Sequence, residues 1–173
     1  MAEKRKTNQE SVLLHQLGSS SRKIVNNHHL ENLSEFVLHD LCSEQGFGIQ
    51  KGAYLVHNPD FECVKGIAGY HQPESYDSAS WDNQKAFTSH MKQAEFNKKV
   101  RSYNQMNLKN PSLSDTNIDQ LVDYLQISDP AYHVWDSKHN NKGIFIFESF
   151  DDQSAMKDHL LNFLHMLSFC PVF

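Results

Sequence analysis

The chain has 173 residues, 39% apolar and 21% charged, which is enough to build the core of one domain. A net charge of −5 argues against a general nucleic-acid binder, and Gly and Pro are too few for a disordered or collagen-like chain. Cys42, Cys63 and Cys170 are odd in number and form no Cys-x-x-Cys, which leaves a disulfide framework or a zinc ribbon without support.

The first ten residues are polar. Ser11 to Leu17 has the apolar content for one or two helical turns, and Gly18-Ser19-Ser20-Ser21 reads as a break. Residues 1–26 are therefore expected to be a partly helical N-terminal extension, and 27–173 a single domain. From about Asn27 a helix is predicted, because Leu30, Leu33, Val37 and Leu41 fall on one face, with Gly46 in the place of a C-terminal stop. Ile49 to Tyr70 reads as two strands around His57-Asn58-Pro59-Asp60, where Pro59 presets the turn dihedral and Asn58 can close the turn with its side chain. On the first strand Tyr54 and Val56 share a face, opposite Ala53 and Leu55. On the second, Phe61, Cys63 and Ile67 alternate with Val64, Ala68 and Tyr70.

After a loop at 71–81, helix is expected from about Trp81 to Met106. Its apolar stripe shifts, from Phe87, Met91 and Ala94 to Phe96, Val100 and Tyr103, which indicates a kink or two helices. Asn110-Pro111 ends that unit. Ile118, Leu121, Val122 and Leu125 mark a short helix with Ser114, Asp115 or Thr116 available as caps. Tyr132–Asp136 and Ile144–Phe147 read as a second hairpin around a turn-rich insert. A last amphipathic helix carries Met156, Leu160, Phe163, Leu164 and Leu167 on one face, with Asp151 and Asp152 at its start, where the helix dipole favours anions. The expected fold is α+β: an antiparallel sheet of at least four strands from two hairpins, at about 49–70 and 131–149. Terminal helices cover one face and middle helices the other.

That order of elements resembles the GAF-like sensory domains, a group related to PAS and profilin-like folds, from about Leu30 to Leu167. The pieces that carry it are Leu41-Cys42-Ser43-Glu44-Gln45-Gly46-Phe47 leading into the first hairpin, and that hairpin itself from Ala53-Tyr54-Leu55-Val56 to Ile67-Ala68-Gly69-Tyr70. Gly143 to Ser149 then leads into the last helix. The helical segment at 82–106 departs from the family pattern, and the Asn-Lys-Phe-Asp-Glu signature of its cyclic-nucleotide-binding members is absent. The resemblance implies a sensing or regulatory domain, often dimeric through its terminal helices, and transfers no ligand.

No catalytic or metal set has a recognisable spacing. His39 and Cys42 lie three apart on one helix, but zinc needs three or four ligands, and no His-Glu-x-x-His occurs. His57 and Cys63 flank the first hairpin turn without being directly opposite, and a buried small thiol accounts better for Cys63. Asp40 and Glu44 share the polar face of the first domain helix. Glycine-rich nucleotide motifs and the Gly-x-Ser-x-Gly elbow are missing. The stretch from Tyr70 to Trp81 leaves a strand end with aromatic and polar groups in no core pattern, the chemistry small ligands use. His71, Trp81, His90, Tyr103, His133 and Trp135 are the candidate ligand-binding residues, on the expectation that the 71–106 segment covers the sheet.

The expectation is a non-catalytic cytoplasmic sensing, regulatory or interaction module. Its partners are a small-molecule ligand between sheet and helical cover, or a second copy through the terminal helices, without nucleic acid or membrane. The cofactor is unknown. The alternative is a small metal- or thiol-dependent enzyme, which would draw its ligands from His39, His57, His71, His90, His133 or His139.

Overall fold

A computed structural model describes residues 2–106, 115–150 and 153–172, with side chains from 11–106, 118–150 and 156–172. Among the described residues, six α-helices and five strands run in the order α1 (Ala2–Asn26), α2 (Leu33–Cys42), β1 (Lys51–Asn58), β2 (Cys63–His71), α3 (Gln84–Gln93), α4 (Glu95–Ser102), β3 (Asn104–Gln105), α5 (Asp115–Leu125), β4 (Pro130–Asp136), β5 (Lys142–Glu148) and α6 (Gln153–Leu167). The strands form one antiparallel sheet in the order β3-β2-β1-β5-β4. The two hairpins therefore meet through their inner strands, β1 and β5, as an α+β domain requires.

Each sheet face has its own core. Tyr54, Val56, Ala68, Tyr70, Trp135, Phe145 and Phe147 pack under α1, α2 and α6. Ala53, Leu55, Val64, Ile144 and Ile146 pack under Phe96 and Val100 of α4 and Ile118, Leu121 and Leu125 of α5. The alternation seen in β1 and β5 is thus the signature of a sheet covered on both sides. The stripe of α6 is committed to this core, with Leu160, Phe163, Leu164 and Leu167 essentially inaccessible. That stripe is therefore not a free dimer face.

Four local expectations need correction. First, the Gly18–Ser21 break does not exist: α1 runs through it and buries Leu13, Ser20 and Ile24. The Ser21 hydroxyl donates to the Leu17 carbonyl at 2.8 Å, so the helix satisfies its own polar side chain while it packs on α2 and α6. Second, β2 does not alternate in one phase. Tyr54 pairs with Ala68 and Leu55 with Gly66, leaving Ile67 as a bulge, so Val64 faces α4 while Ala68 and Tyr70 face α2. Third, Gly46 is not the helix stop. Ser43 caps α2, and Gly46 is needed because a Cβ there would lie 2.4 Å from the Asp40 and Leu41 carbonyl oxygens. Fourth, the 71–106 segment does not cover the sheet as a whole: it is the two helices that the shifted stripe indicated, broken at Ala94 (ψ 121°). Only α4 lies on the sheet. Phe87 and Met91 of α3 pack instead against Phe36 of α2.

The first turn is closed as expected: the Asn58 side-chain oxygen accepts from the backbone N–H groups of Asp60 and Phe61. The caps proposed for α5 and the acidic start proposed for α6 fall on residues or side chains outside those described.

Candidate functional site

The segment that leaves β2 at His71 is held as a loop by side chains of α1, α2 and α3 and a backbone N–H of α4. A short 3₁₀ turn, Gln72–Glu74, starts it. The Glu74 carbonyl accepts from His90 Nε2 of α3 at 2.6 Å, and its carboxylate accepts from the Phe96 N–H at the start of α4 at 3.0 Å. That last contact caps a helix whose preceding Ala94 has no capping side chain of its own. Two residues on, the Tyr76 N–H donates to Nε2 of His39 on α2 at 3.2 Å. At the far end the Trp81 indole N–H donates to the Asp40 carboxylate at 2.7 Å, and Lys23 of α1 reaches the same oxygen at 3.3 Å while lying 5.2 Å from the Trp81 ring.

Rings fill the space beneath. The His39 imidazole sits edge-on to Tyr70 at 5.5 Å and to Phe87 at 5.3 Å. Tyr76 lies against Phe87 and His90, and Trp81 against Phe36. Burial lowers the His39 pKa, and nearby His90 acts in the same direction against the pull of Asp40, so the net shift favours the neutral ring. Burial pushes the Tyr70 hydroxyl up to about 12, which keeps it a proton donor.

Outside this cluster, between the loop and α2, lies an open basin of about 480 Å³. Tyr70, Tyr76 and Trp81 supply aromatic walls, with Asp40, Glu44 and Gln72 among its polar groups. Between β2 and the helical cover, where a ligand was expected, the void at Gly69, His71, Met91 and Asn97 measures about 10 Å³, too small for a ligand. A larger groove of about 610 Å³ runs between residues 28–35, β2 and Arg101. Its floor is the Glu35 carboxylate, already taken by Asn32, Asn97 and Arg101, a structural arrangement that joins α2 to α4.

The six candidate residues divide into three groups. Trp81 lines the basin. His90 stands behind it on α3, and His71, 3.5 Å from Glu74, flanks the loop's start. Tyr103 lies toward the α4/α5 face, its ring 5.1 Å from Tyr124 and its hydroxyl on Gln105. His133 and Trp135 sit on β4, separated from β2 by β1 and β5, with Trp135 stacked on Tyr54 and its indole N–H on Ser168. The long-helix cover that was to unite them is absent. Sequence reasoning named His39 only as a metal-ligand candidate and Asp40 only as part of a polar face with Glu44, and it did not single out Lys23, which reaches Asp40 from α1.

For the alternative chemistry, no three His, Cys, Asp or Glu side chains assemble as a metal set among the described residues. Cys42 and Cys170 are buried, which raises both thiol pKa values, that of Cys170 to about 12. Asn58, not His57, lies opposite Cys63. No helix among the described residues is long and apolar enough to cross a membrane. In comparisons with known proteins, no family model, curated protein or solved structure matches the chain.

Proposed function

We propose that the chain is a non-catalytic sensing or regulatory module that holds a small polar ligand in the basin between α2 and loop 72–81. The class of function follows the resemblance of its element order to GAF-like sensory domains. The observation that carries the reading is the basin itself: three aromatic walls interleaved with hydroxyl, amide and carboxylate groups, closed on one side by a loop that side chains hold in place. Such a surface suits a compact molecule bearing hydroxyl or amide groups, which stacks on the rings while its polar groups replace water. Loop and basin share anchors, so a ligand that contacts Tyr76 or Trp81 shifts the loop's equilibrium between held and released states. That shift is the signal such a module passes on.

The test is a native mass spectrum of the purified full chain beside a denaturing one. The reading expects a non-covalent mass that denaturation removes and that the double substitution Asp40→Ala, Tyr76→Ala also removes. A bound mass indifferent to both substitutions, or a chain that carries nothing and runs as a dimer, contradicts it. The dimer result would move the function to self-association through the terminal helices.

A further inference from the structure

Two histidines hold the same loop with their protons placed oppositely. A backbone N–H only donates, so Nε2 of His39 must carry a lone pair to accept from Tyr76. A carbonyl only accepts, so Nε2 of His90 must carry a proton to donate to Glu74. Protonating His90 leaves its bond intact, because imidazolium donates from both nitrogens. Protonating His39 at Nε2 removes the acceptor and sets two N–H groups against each other. It also places a positive charge on a buried ring packed against Tyr70 and Phe87.

We propose that His39 is a proton-operated latch on the 72–81 loop, holding Tyr76 while its ring is neutral and releasing it when Nε2 is protonated. The groups that face it from each packed element are Lys23 of α1, Asp40 and Glu44 of α2, Tyr70 of β2, Glu74 and Asp77 of the loop, and His90 of α3. Asp40 is the carboxylate whose charge acts on the ring, and it already serves Lys23 and the Trp81 indole. It therefore offers incomplete compensation. Burial favours the neutral ring, so the closed loop resists protonation and the open loop accepts it. Acid therefore drives the equilibrium toward opening, below the ordinary histidine value of about 6.5. The Glu74 end stays tethered by His90 whichever charge that ring carries, so the loop swings from its Tyr76 end. The latch goes beyond the ligand reading and stands without it, since it operates in the chain alone.

The test is an NMR pH titration of the full chain from about pH 7.5 to 5 with no ligand added, the span over which a histidine changes charge. It follows the His39 ring nitrogens, the Tyr76 amide and the two indole N–H signals. The latch predicts that the Tyr76 amide and His39 Nε2 titrate with one midpoint. It also predicts that Tyr76 loses about tenfold in exchange protection, the worth of one hydrogen bond, and that the Trp81 indole follows. The Trp135 indole, bound to Ser168 at the opposite edge of the sheet, serves as the unmoved control. In His39→Gln the amide side chain offers an acceptor that never titrates, so the Tyr76 transition must vanish. A Tyr76 transition that survives in His39→Gln overturns the latch. If that variant does not fold, the wild-type chain still decides, because separate midpoints for His39 and Tyr76, or an unmoved Tyr76 amide, overturn it equally.

Discussion

The carboxylate of Glu35, 2% exposed, takes the guanidinium of Arg101 at 2.6 Å and so ties α2 on one face of the sheet to α4 on the other. The tie passes around the outer edge of β2. The short strand β3 covers that edge only at Val64 and Lys65. Beyond it, the Gly66 N–H donates to the Tyr103 carbonyl and the Gly69 N–H to the Asn97 side-chain oxygen. Asn97 completes the closure by donating to Glu35 and to the Met91 carbonyl. An edge strand that would otherwise offer open hydrogen-bonding groups is sealed by side chains.

Asn97 is the centre of that seal. Asn97→Ala leaves a buried N–H, a buried carbonyl and part of a carboxylate without partners and is expected to destabilise the fold by about 3 kcal/mol in urea unfolding. Asn97→Asp keeps the acceptor for Gly69 but sets a second carboxylate beside Glu35, so it should be at least as damaging. An aspartate variant clearly more stable than the alanine variant would refute this role.

The approach of α4 to β2 depends on Gly66, where a Cβ would sit 1.8 Å from the Val100 carbonyl oxygen. Gly66→Ala should lower stability by at least about 2 kcal/mol, since backbone must move to admit it. Gly18→Ala is the opposite case: inside α1, with nothing within 4 Å of the added carbon, it should raise stability by about 0.5–1 kcal/mol. Thermal melts of the two variants should move in opposite directions.

Much of this architecture was legible because it is periodic. The shift from Phe87 and Met91 to Phe96 and Val100 announced the break at Ala94, and Asn58-Pro59 announced its turn. What escaped was non-local. A single inserted residue, Ile67, flips the faces of β2 without altering its composition. The candidate site depends on His39 meeting Tyr76 and Asp40 meeting Trp81 across 37 and 41 residues of chain, a meeting set by tertiary packing. Gly18-Ser19-Ser20-Ser21 carries a loop's composition, yet tertiary contacts with α2 and α6 keep it helical.

Acid should weaken the fold in a defined window. His39, His57 and His133 all have pKa values lowered, in each case chiefly by burial. In the unfolded chain they titrate near the ordinary value of about 6.5. Between that value and their lower folded values the unfolded state binds more protons, so stability rises with pH there. The urea midpoint is expected to be level above about pH 7 and to fall as the pH drops through about 6.5. A midpoint unchanged between about pH 8 and 5 would contradict the lowering of these three values.

The thiols should separate by position. Cys42 and Cys170 are buried and held protonated, whereas Cys63 is partly exposed at the start of β2. A thiol-alkylating reagent at neutral pH should label Cys63 first, with the other two reacting only on unfolding. Peptide mapping that found Cys42 modified as fast as Cys63 in the native chain would mean that the α2 face of the core opens readily.

The basin's role in ligand capture is tested most directly by the two indole N–H signals. The full chain would be titrated at neutral pH with a pool of small compounds bearing hydroxyl and amide groups. The expected result is saturable movement of the Trp81 indole by at least one compound, with the Trp135 indole unmoved. A pool that leaves Trp81 in place, or that moves only Trp135, would contradict the assignment of the basin.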